Sequence, residues 1–223
     1  MTAESSGGAA ADGHGSESSD AAAHEVFPGT PVLVELPAGT ALARIYDGAF
    51  YPDGASFRYF GPHLRGRWDT HPAGPPRRHD RHGVLYATTT LRCAVAEVFG
   101  DDRRLSPSPT QRLAVLALTG PLMLADTRGL AAVRLGHPAG ALRARDRALT
   151  QSVARALHAG TRADGVLYEG WQTGEDSVCL WERSRPAISL LDDRSLHDPA
   201  VAVELAVLAD ELCFDRPGIQ PGG

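Results

Sequence analysis

Short apolar runs separated by turn residues characterise the first part of the chain that can fold. Val32–Leu36 and residues 42–46 are two such runs, with a proline and a glycine between them, and they predict two strands. Residues 83–88 (GVLYAT) predict a buried strand that leads through a threonine cap into a helix over Leu91–Phe99. The pattern therefore predicts a strand, cap and helix unit after the first two strands.

The second half of the chain alternates further strand patterns with two helical ones. Residues 126–138 show neither the helical nor the strand spacing of apolar residues and are interpreted as irregular. The predicted strands cover residues 112–119, 122–125, 164–168, 177–182 and 187–191, and the predicted helices cover residues 142–158 and 199–212. Val153 and Leu157 recur at helical spacing in the first of these helices. In the second helix, Val203 and Leu205 are among the residues expected to face the body of the protein.

A long segment without sustained periodicity, residues 47–82, connects the early strands. It is rich in Gly, Pro, Arg and His. Connections of this length inside a compact domain are uncommon unless they carry function. We therefore interpret the segment as a candidate functional loop.

Composition divides the chain into three parts. Residues 1–28 form an acidic tail that we expect to be disordered, since it has little to bury and its first 25 residues hold five acids and no arginine. Residues 29–215 are expected to form one domain, and residues 216–223 a flexible Pro- and Gly-rich tail. The whole chain has a net charge of −5, so the part after the acidic tail is neutral. A neutral domain lacks the basic field that drives non-specific nucleic-acid binding.

The inventory of reactive residues excludes several classes of chemistry. All 22 basic residues are arginines because the sequence contains no lysine, which excludes Schiff-base and phosphate-loop lysines. Three distant cysteines without a Cys-x-x-Cys pair favour neither a disulfide framework nor a zinc site. The apolar runs are too short to span a membrane. We expect a cytoplasmic protein that uses no metal and contacts no membrane.

Glu97 is the most informative single residue. It lies at the margin of the apolar face of the predicted helix Leu91–Phe99, and no arginine lies three or four residues away to pair with it. A glutamate in such a position is most often simply solvated. A functional role therefore requires partners from other segments.

A second group of candidates combines arginines with aromatic rings. The loop 64–69 places two arginines and Trp68 around Gly66, which suits an anion with a ring attached. Arg44 and Tyr86 lie on predicted strands, where a buried ion pair and a core ring are the more common roles. Taken singly, none of these side chains defines a site.

The order of these motifs resembles the RES domain family, named for an arginine, a glutamate and a serine. The match consists of Arg44, GRWD at 66–69, GVLYA at 83–87, AVAEVF at 94–99, Thr150-Gln151, DGVLY at 164–168 and CLWER at 179–183. It runs from about residue 42 to residue 190. The resemblance implies an ADP-ribosyltransferase-like α/β (α+β) fold, in which mixed β-sheets with flanking helices enclose a cleft for NAD⁺.

Position by position, the resemblance also implies site residues. Glu97, Arg67 and Tyr86 match the catalytic glutamate, arginine and tyrosine of the family. The binding positions that it implies are Arg44, Gly66, Trp68, Thr150, Ser152 and Gly170. Gly170 stands where many members have a serine, and the two hydroxyl residues of this set are candidate substitutes for that serine.

The activity that the resemblance implies is consumption of NAD⁺. Glu97 would stabilise the positive charge that develops on the ribose as the nicotinamide–ribose bond breaks, and the arginines would hold the pyrophosphate. Inorganic phosphate, water or a protein side chain as acceptor would give a phosphorylase, a glycohydrolase or an ADP-ribosyltransferase, and similarity to toxin members favours the first two. Family toxins are held inactive by an antitoxin with a helix-turn-helix domain, so the resemblance implies such a partner. A homo-oligomer is also compatible with it.

Three alternatives stay open at this point. A RES-like module that binds NAD⁺ or a partner without turnover is motivated by Gly170. Residues 58–104 carry nine arginines against five acids with aromatics between them, but no RRM, KH or OB signature accompanies them, so nucleic acid ranks low. Four histidines of the long loop match no metal-binding spacing and are interpreted as solvated: His63, His71, His79 and His82.

Overall fold

Eight strands join in one curled, mostly antiparallel sheet. The computed structural model describes residues 29–63, 66–144 and 146–216; the predicted tail over residues 1–28, residues 64 and 65 of the arginine loop, and residues 217–223 lie outside the described residues. The strands are β1 (Val32–Leu36), β2 (Ala41–Asp47), β3 (Phe60–Gly61), β4 (Arg77–Arg78), β5 (Val84–Thr88), β6 (Gln111–Leu118), β7 (Leu122–Asp126), β8 (Gly165–Glu169), β9 (Asp176–Trp181) and β10 (Ile188–Ser195). The helices are α1 (Leu91–Phe99), α2 (Gly129–Arg134), α3 (Arg147–Gly160) and α4 (Pro199–Glu211), and a 3₁₀ turn covers Glu182–Ala187. The predicted mixed α/β fold is confirmed.

The sheet has the strand order β1-β7-β8-β9-β5-β2-β6-β10, and β3 pairs with β4 separately. Only the β7–β8 pairing is parallel among the described strands. β2 pairs with β6 along its whole length, but it meets β5 at the single register position Ala43–Thr88. The two strands therefore separate beyond this position, and Arg58 of the long loop makes the next bridge to β5, at Val84.

Alternation along the strands divides the core between the two faces of the sheet. One face packs Trp68, Val166 and Trp181 against α3, and the other holds Leu85, Leu116 and Leu180 among its buried residues. Successive side chains of a strand point to opposite faces. On β5, Val84 and Tyr86 therefore belong to the first face and Leu85 and Ala87 to the second.

Capping residues set where the helices begin. The Thr90 side chain accepts a hydrogen bond from the backbone N–H of Cys93 at 3.1 Å, and α1 has the predicted bounds. The Asp146 carboxylate accepts one from the N–H of Leu149 at 3.0 Å, so α3 begins later than the predicted residue 142. Both helices pack a small-residue and apolar face on the sheet.

Two further predictions about helices were wrong. Residues 126–138 contain the six-residue helix α2, which is too short to produce a clear helical period. Val203 is 68% exposed, because α4 packs through Val201, Leu205 and Ala209 instead. Since α4 is apolar on nearly all sides, its sequence could not identify the buried face. Within the described residues, no helix combines the length and apolar character needed to cross a membrane.

Candidate active site

A cavity of about 130 Å³ lies where β2 and β5 separate. Its walls come from four elements: Ala43, Arg44 and Ile45 of β2, Tyr86, Ala87 and Thr88 of β5, Ala94, Glu97 and Val98 of α1, and Tyr168 of β8. Two predicted catalytic residues, Tyr86 and Glu97, thus lie in the same cavity. We call it the Glu97 cavity.

Helix α1 presents Glu97 at the edge of its buried face. Cys93, Ala94 and Ala96 face the sheet, whereas Glu97 is exposed and borders the cavity. The Glu97 carboxylate accepts a hydrogen bond from the backbone N–H of Gln172 at 3.2 Å. The carboxylate is therefore positioned by the loop that joins β8 to β9.

The loop between β8 and β9 is itself fixed to the start of α1. The Arg92 guanidinium pairs with the Glu175 carboxylate, which also accepts the Thr90 hydroxyl at 3.1 Å. Gly170 donates its N–H to the Glu175 carbonyl at 2.7 Å and accepts from the N–H of Gly174 at 2.9 Å. Helix, cap and loop form one unit around Glu97.

Gly170 is buried directly beside the Glu97 carboxylate. A Cβ atom built on Gly170 would lie 2.9 Å from Cys93 Sγ, 3.0 Å from Glu97 Oε1 and 3.2 Å from Ser177 Oγ. Two of these atoms belong to short, buried side chains that cannot move away freely. The space that a serine side chain would need is therefore already occupied.

Replacing Gly170 by Ser is expected to lower the free energy of unfolding by about 1–3 kcal/mol, as overpacking does. It is also expected to displace the Glu97 carboxylate rather than to improve any activity. Chemical denaturation measures the first effect. The control is Gly140→Ser, because nothing lies within 4 Å of a Cβ at Gly140, and a Gly170 variant as stable as this control would contradict the expectation.

Tyr86 connects the Glu97 cavity to the arginine loop. Its hydroxyl accepts the backbone N–H of Trp68 at 3.0 Å. Burial raises the pKa of Tyr86 well above its ordinary value, so the phenol stays neutral. The Gly66 position lies next to this hydroxyl: a Cβ there would be 3.1 Å from it.

Asp69 organises the loop that contains Gly66. Its fully buried carboxylate accepts hydrogen bonds from Arg58 Nη2 at 2.8 Å, from the N–H of His63 at 2.7 Å and from the N–H and Nδ1 of His71. Gln151 on α3 adds a hydrogen bond from its Nε2 to the Gly66 carbonyl at 2.7 Å. The loop is thus held by buried polar contacts.

Arg67 lies behind Tyr168. Its guanidinium donates to the Leu142 carbonyl at 2.7 Å and stacks on the Tyr168 ring at 5.3 Å. Its Nε is buried and has no partner among the residues that the structure describes. Arg67 does not border the Glu97 cavity, so it supports a wall residue instead of reaching the cavity itself.

Arg44 contributes its strand to the cavity wall but not its charge. Its side chain is 6% exposed, and Nη1 donates to the carbonyls of Gly54 at 2.7 Å and Ser56 at 2.8 Å. Because Ala43 pairs with Thr88 and side chains alternate, the guanidinium points away from the face that carries Tyr86. The guanidinium does not reach the Glu97 cavity in this structure, and the anion-binding role of Arg44 stays a prediction.

Trp68 and Thr150 are also internal. Trp68 is fully buried against Tyr168, with ring centroids 5.7 Å apart. Thr150 is fully buried and donates its hydroxyl to the Asp146 carbonyl at 3.1 Å. Neither side chain is accessible in this structure, and their assignment as binding residues stays a prediction. Ser152 is half-buried on α3.

The loop histidines are not uniformly solvated, contrary to the sequence interpretation. His71 is fully buried and pairs with Asp69. Its ring lies 6.1 Å from His82, which in turn lies 5.1 Å from His158. Burial, followed by the neighbouring His158 and His71, lowers the pKa of His82 to about 4. Among residues 29–63, 66–144 and 146–216, no group of three or more His, Cys, Asp or Glu side chains is arranged to hold a metal ion.

Sequence reasoning missed two residues of the site, Tyr168 and Gln172. Tyr168 belongs to the DGVLY motif. It lies two positions after the buried Val166, so both side chains point to the same face of the strand, and this spacing was the signal that could have placed Tyr168 on the Tyr86 face. Burial and then the Glu97 charge raise the pKa of Tyr168 well above its ordinary value. Gln172 acts through its backbone N–H, for which side-chain identity carries no signal.

The large mixed sheet with its flanking helices is compatible with a RES domain. The RES domain model matches residues 41–203, which is well over half of the chain, so this chain belongs to the RES family. Among solved structures it is similar to the crystal structure of the M. tuberculosis MbcT-MbcA toxin-antitoxin complex. The TM-score is 0.53 at 17% sequence identity, and the match covers 78% of this chain and 92% of that chain. At that identity the similarity concerns the fold. A comparison with curated proteins finds no match.

Proposed function

We propose that this RES protein consumes NAD⁺ by cleaving its nicotinamide–ribose bond, with Glu97 as the catalytic carboxylate. The observation that carries the proposal is the convergence of Glu97, Tyr86 and Tyr168, from three separate elements, on one cavity. Membership of the RES family supports it.

The chemistry follows from the charge that the reaction develops. When the bond between ribose C1′ and the pyridinium nitrogen breaks, its electron pair leaves with nicotinamide, which becomes neutral, and the ribose acquires oxocarbenium character. Glu97 is the acidic side chain among those bordering the cavity. Its carboxylate would stabilise the positive charge and accept a hydrogen bond from a ribose hydroxyl.

The two tyrosines of the cavity provide aromatic surface without adding charge. Burial keeps both phenols protonated, since it raises the pKa of Tyr86 and of Tyr168 well above the ordinary value. They therefore add no negative charge that would compete with Glu97. Their rings would hold the nicotinamide riboside in a geometry ready for reaction.

The acceptor completes the reaction at C1′. An oxygen of inorganic phosphate would give ADP-ribose 1″-phosphate, and water would give ADP-ribose, with one proton released in either case. We place phosphate and water ahead of a protein side chain, the acceptor of an ADP-ribosyltransferase. The proposed reaction has no step that calls for a metal ion.

The test is incubation of the purified chain with NAD⁺, with and without inorganic phosphate, followed by chromatography of nicotinamide and mass spectrometry of the second product. Nicotinamide release is expected. A requirement for phosphate together with a phosphorylated product would define a phosphorylase, and release without phosphate would define a glycohydrolase. Binding of NAD⁺ without release of nicotinamide would instead support the non-catalytic binding module. A chain that does not bind NAD⁺ and does not release nicotinamide would overturn the proposal.

We also propose an antitoxin as the protein partner, with toxin action in the cytoplasm. The similarity in fold to a structure of a toxin-antitoxin complex supports this. A partner that covers the Glu97 cavity would block NAD⁺ access. Its co-expression should therefore abolish nicotinamide release by the co-purified complex.

A further inference from the structure

A second cavity, larger than the Glu97 cavity, is lined by residues of the long loop. It measures about 460 Å³, and its lining includes five phenylalanine and tyrosine rings: Phe50, Tyr51, Phe57, Tyr59 and Phe60. Phe50 is 80% exposed and Phe60 is 59% exposed. Large rings left open beside a cavity are typical of a surface that a ligand or partner covers. We call this space the aromatic cavity.

Two arginines line the aromatic cavity, and Arg78 is the one that gives it a preference for anions, because Arg58 pairs with the buried Asp69. Arg78 stacks on the Tyr59 ring at 5.5 Å and pairs with Asp80, and the side chains of this pair are 72% and 78% exposed. So exposed a pair contributes little stability, which leaves Arg78 available to a phosphate group. Rings and guanidinium groups together fit a purine ring that carries a phosphate.

Gly66 lies next to one residue of each cavity. A Cβ on Gly66 would be 3.1 Å from the hydroxyl of Tyr86, which lines the Glu97 cavity, and 3.3 Å from Nη2 of Arg58, which lines the aromatic cavity. Tyr86 of one cavity and Arg58 of the other are therefore both adjacent to Gly66.

The volumes of the two cavities suit different parts of a dinucleotide. Pockets for small molecules usually measure about 300–1,000 Å³, so a cavity of about 130 Å³ accommodates one end of a dinucleotide only. The aromatic cavity is large enough for a nucleotide. We propose that the aromatic cavity binds the adenosine monophosphate end of the substrate, which gives the enzyme its preference for a dinucleotide. This inference rests on the proposed function.

The experiment compares two substrates that share the bond to be broken. Nicotinamide mononucleotide contains the nicotinamide–ribose bond but lacks the adenosine monophosphate end of NAD⁺. The variants are Phe50→Ala, Phe60→Ala and Arg78→Gln, and the matched control is Leu130→Ala, which removes an equally exposed (80%) side chain of α2. Nicotinamide release from each substrate gives kcat/KM.

Each phenylalanine variant is expected to lower kcat/KM for NAD⁺ by about 5- to 100-fold, mainly through KM, as loss of a base-stacking ring does. In these variants kcat/KM for nicotinamide mononucleotide should stay unchanged. In Leu130→Ala, kcat/KM should stay unchanged for both substrates. Equal losses with both substrates, or no loss with either, would overturn the inference.

A binding measurement separates this inference from the proposed function. Calorimetry with AMP needs no turnover, so it applies even to a chain that releases no nicotinamide. Weaker AMP binding by Phe50→Ala and Phe60→Ala, but not by Leu130→Ala, would support the aromatic cavity as a nucleotide site whatever the reaction. AMP binding that is absent, or unaffected by these variants, would overturn the inference while leaving the proposed cleavage at Glu97 intact.

Discussion

Replacing Glu97 by Gln is expected to lower kcat for nicotinamide release by about 100- to 1,000-fold, the usual loss when one preorganised electrostatic group is removed. The amide has nearly the same shape and can still accept the hydrogen bond from the Gln172 N–H. It carries no negative charge, however, so it cannot stabilise an oxocarbenium ion. KM for NAD⁺ should change much less than kcat, because the charge develops only as the bond breaks.

The control for Glu97→Gln is Glu204→Gln on α4, another exposed helical glutamate that does not border the Glu97 cavity. Both substitutions should leave the free energy of unfolding within about 0.5 kcal/mol of the wild-type value, as surface changes generally do. The rate of nicotinamide release should fall only for Glu97→Gln. A rate within threefold of wild type for this variant would exclude Glu97 as the catalytic carboxylate.

Much of the framework around Glu97 follows from local sequence. The bounds of α1 and its threonine cap are as predicted, because capping and helical spacing act within a few residues. The strand before it also falls within one residue of the prediction. Local rules fail for α4, where an almost wholly apolar helix gives no information about its buried face.

The orientation of the site residues depends on contacts that are distant in sequence. Arg44 and Tyr86 both lie on predicted strands, but the pairing of Ala43 with Thr88 is what sends their side chains to opposite faces. The burial of Trp68 depends on its packing against Tyr168, a hundred positions further along the chain. Motif matching identifies such residues without stating whether they touch the ligand or support a residue that does.

Asp69 illustrates the supporting role, and replacing it by Ala is expected to lower the free energy of unfolding by about 3–5 kcal/mol. The substitution would leave the Arg58 guanidinium without its buried carboxylate and would also leave the His63 N–H and His71 Nδ1 without their acceptor. Uncompensated buried polar groups of this kind are costly. Urea unfolding followed by tryptophan fluorescence measures the change.

Asp80→Ala provides the control for Asp69→Ala, since Asp80 is an exposed partner of Arg78 in the same loop. Its loss should cost less than about 1 kcal/mol. If Asp69→Ala were as stable as Asp80→Ala, the buried carboxylate would not be the anchor of the loop that carries Gly66 and Arg67.

The pH dependence of the Asp69 effect has a definite sign. Burial alone would raise the pKa of Asp69, but the hydrogen bond from His71 and the charge of Arg58 outweigh it and hold this pKa well below its usual range. A carboxylate of this kind stabilises the fold above its unfolded-state pKa, and the stabilisation is lost as the pH falls through the folded-state value. The stability difference between wild type and Asp69→Ala should therefore be full at neutral pH and narrow below about pH 4. Because Asp69 fixes both Arg58 of the aromatic cavity and the loop beside Tyr86, nicotinamide release should fall at neutral pH as well, even where the variant is still folded.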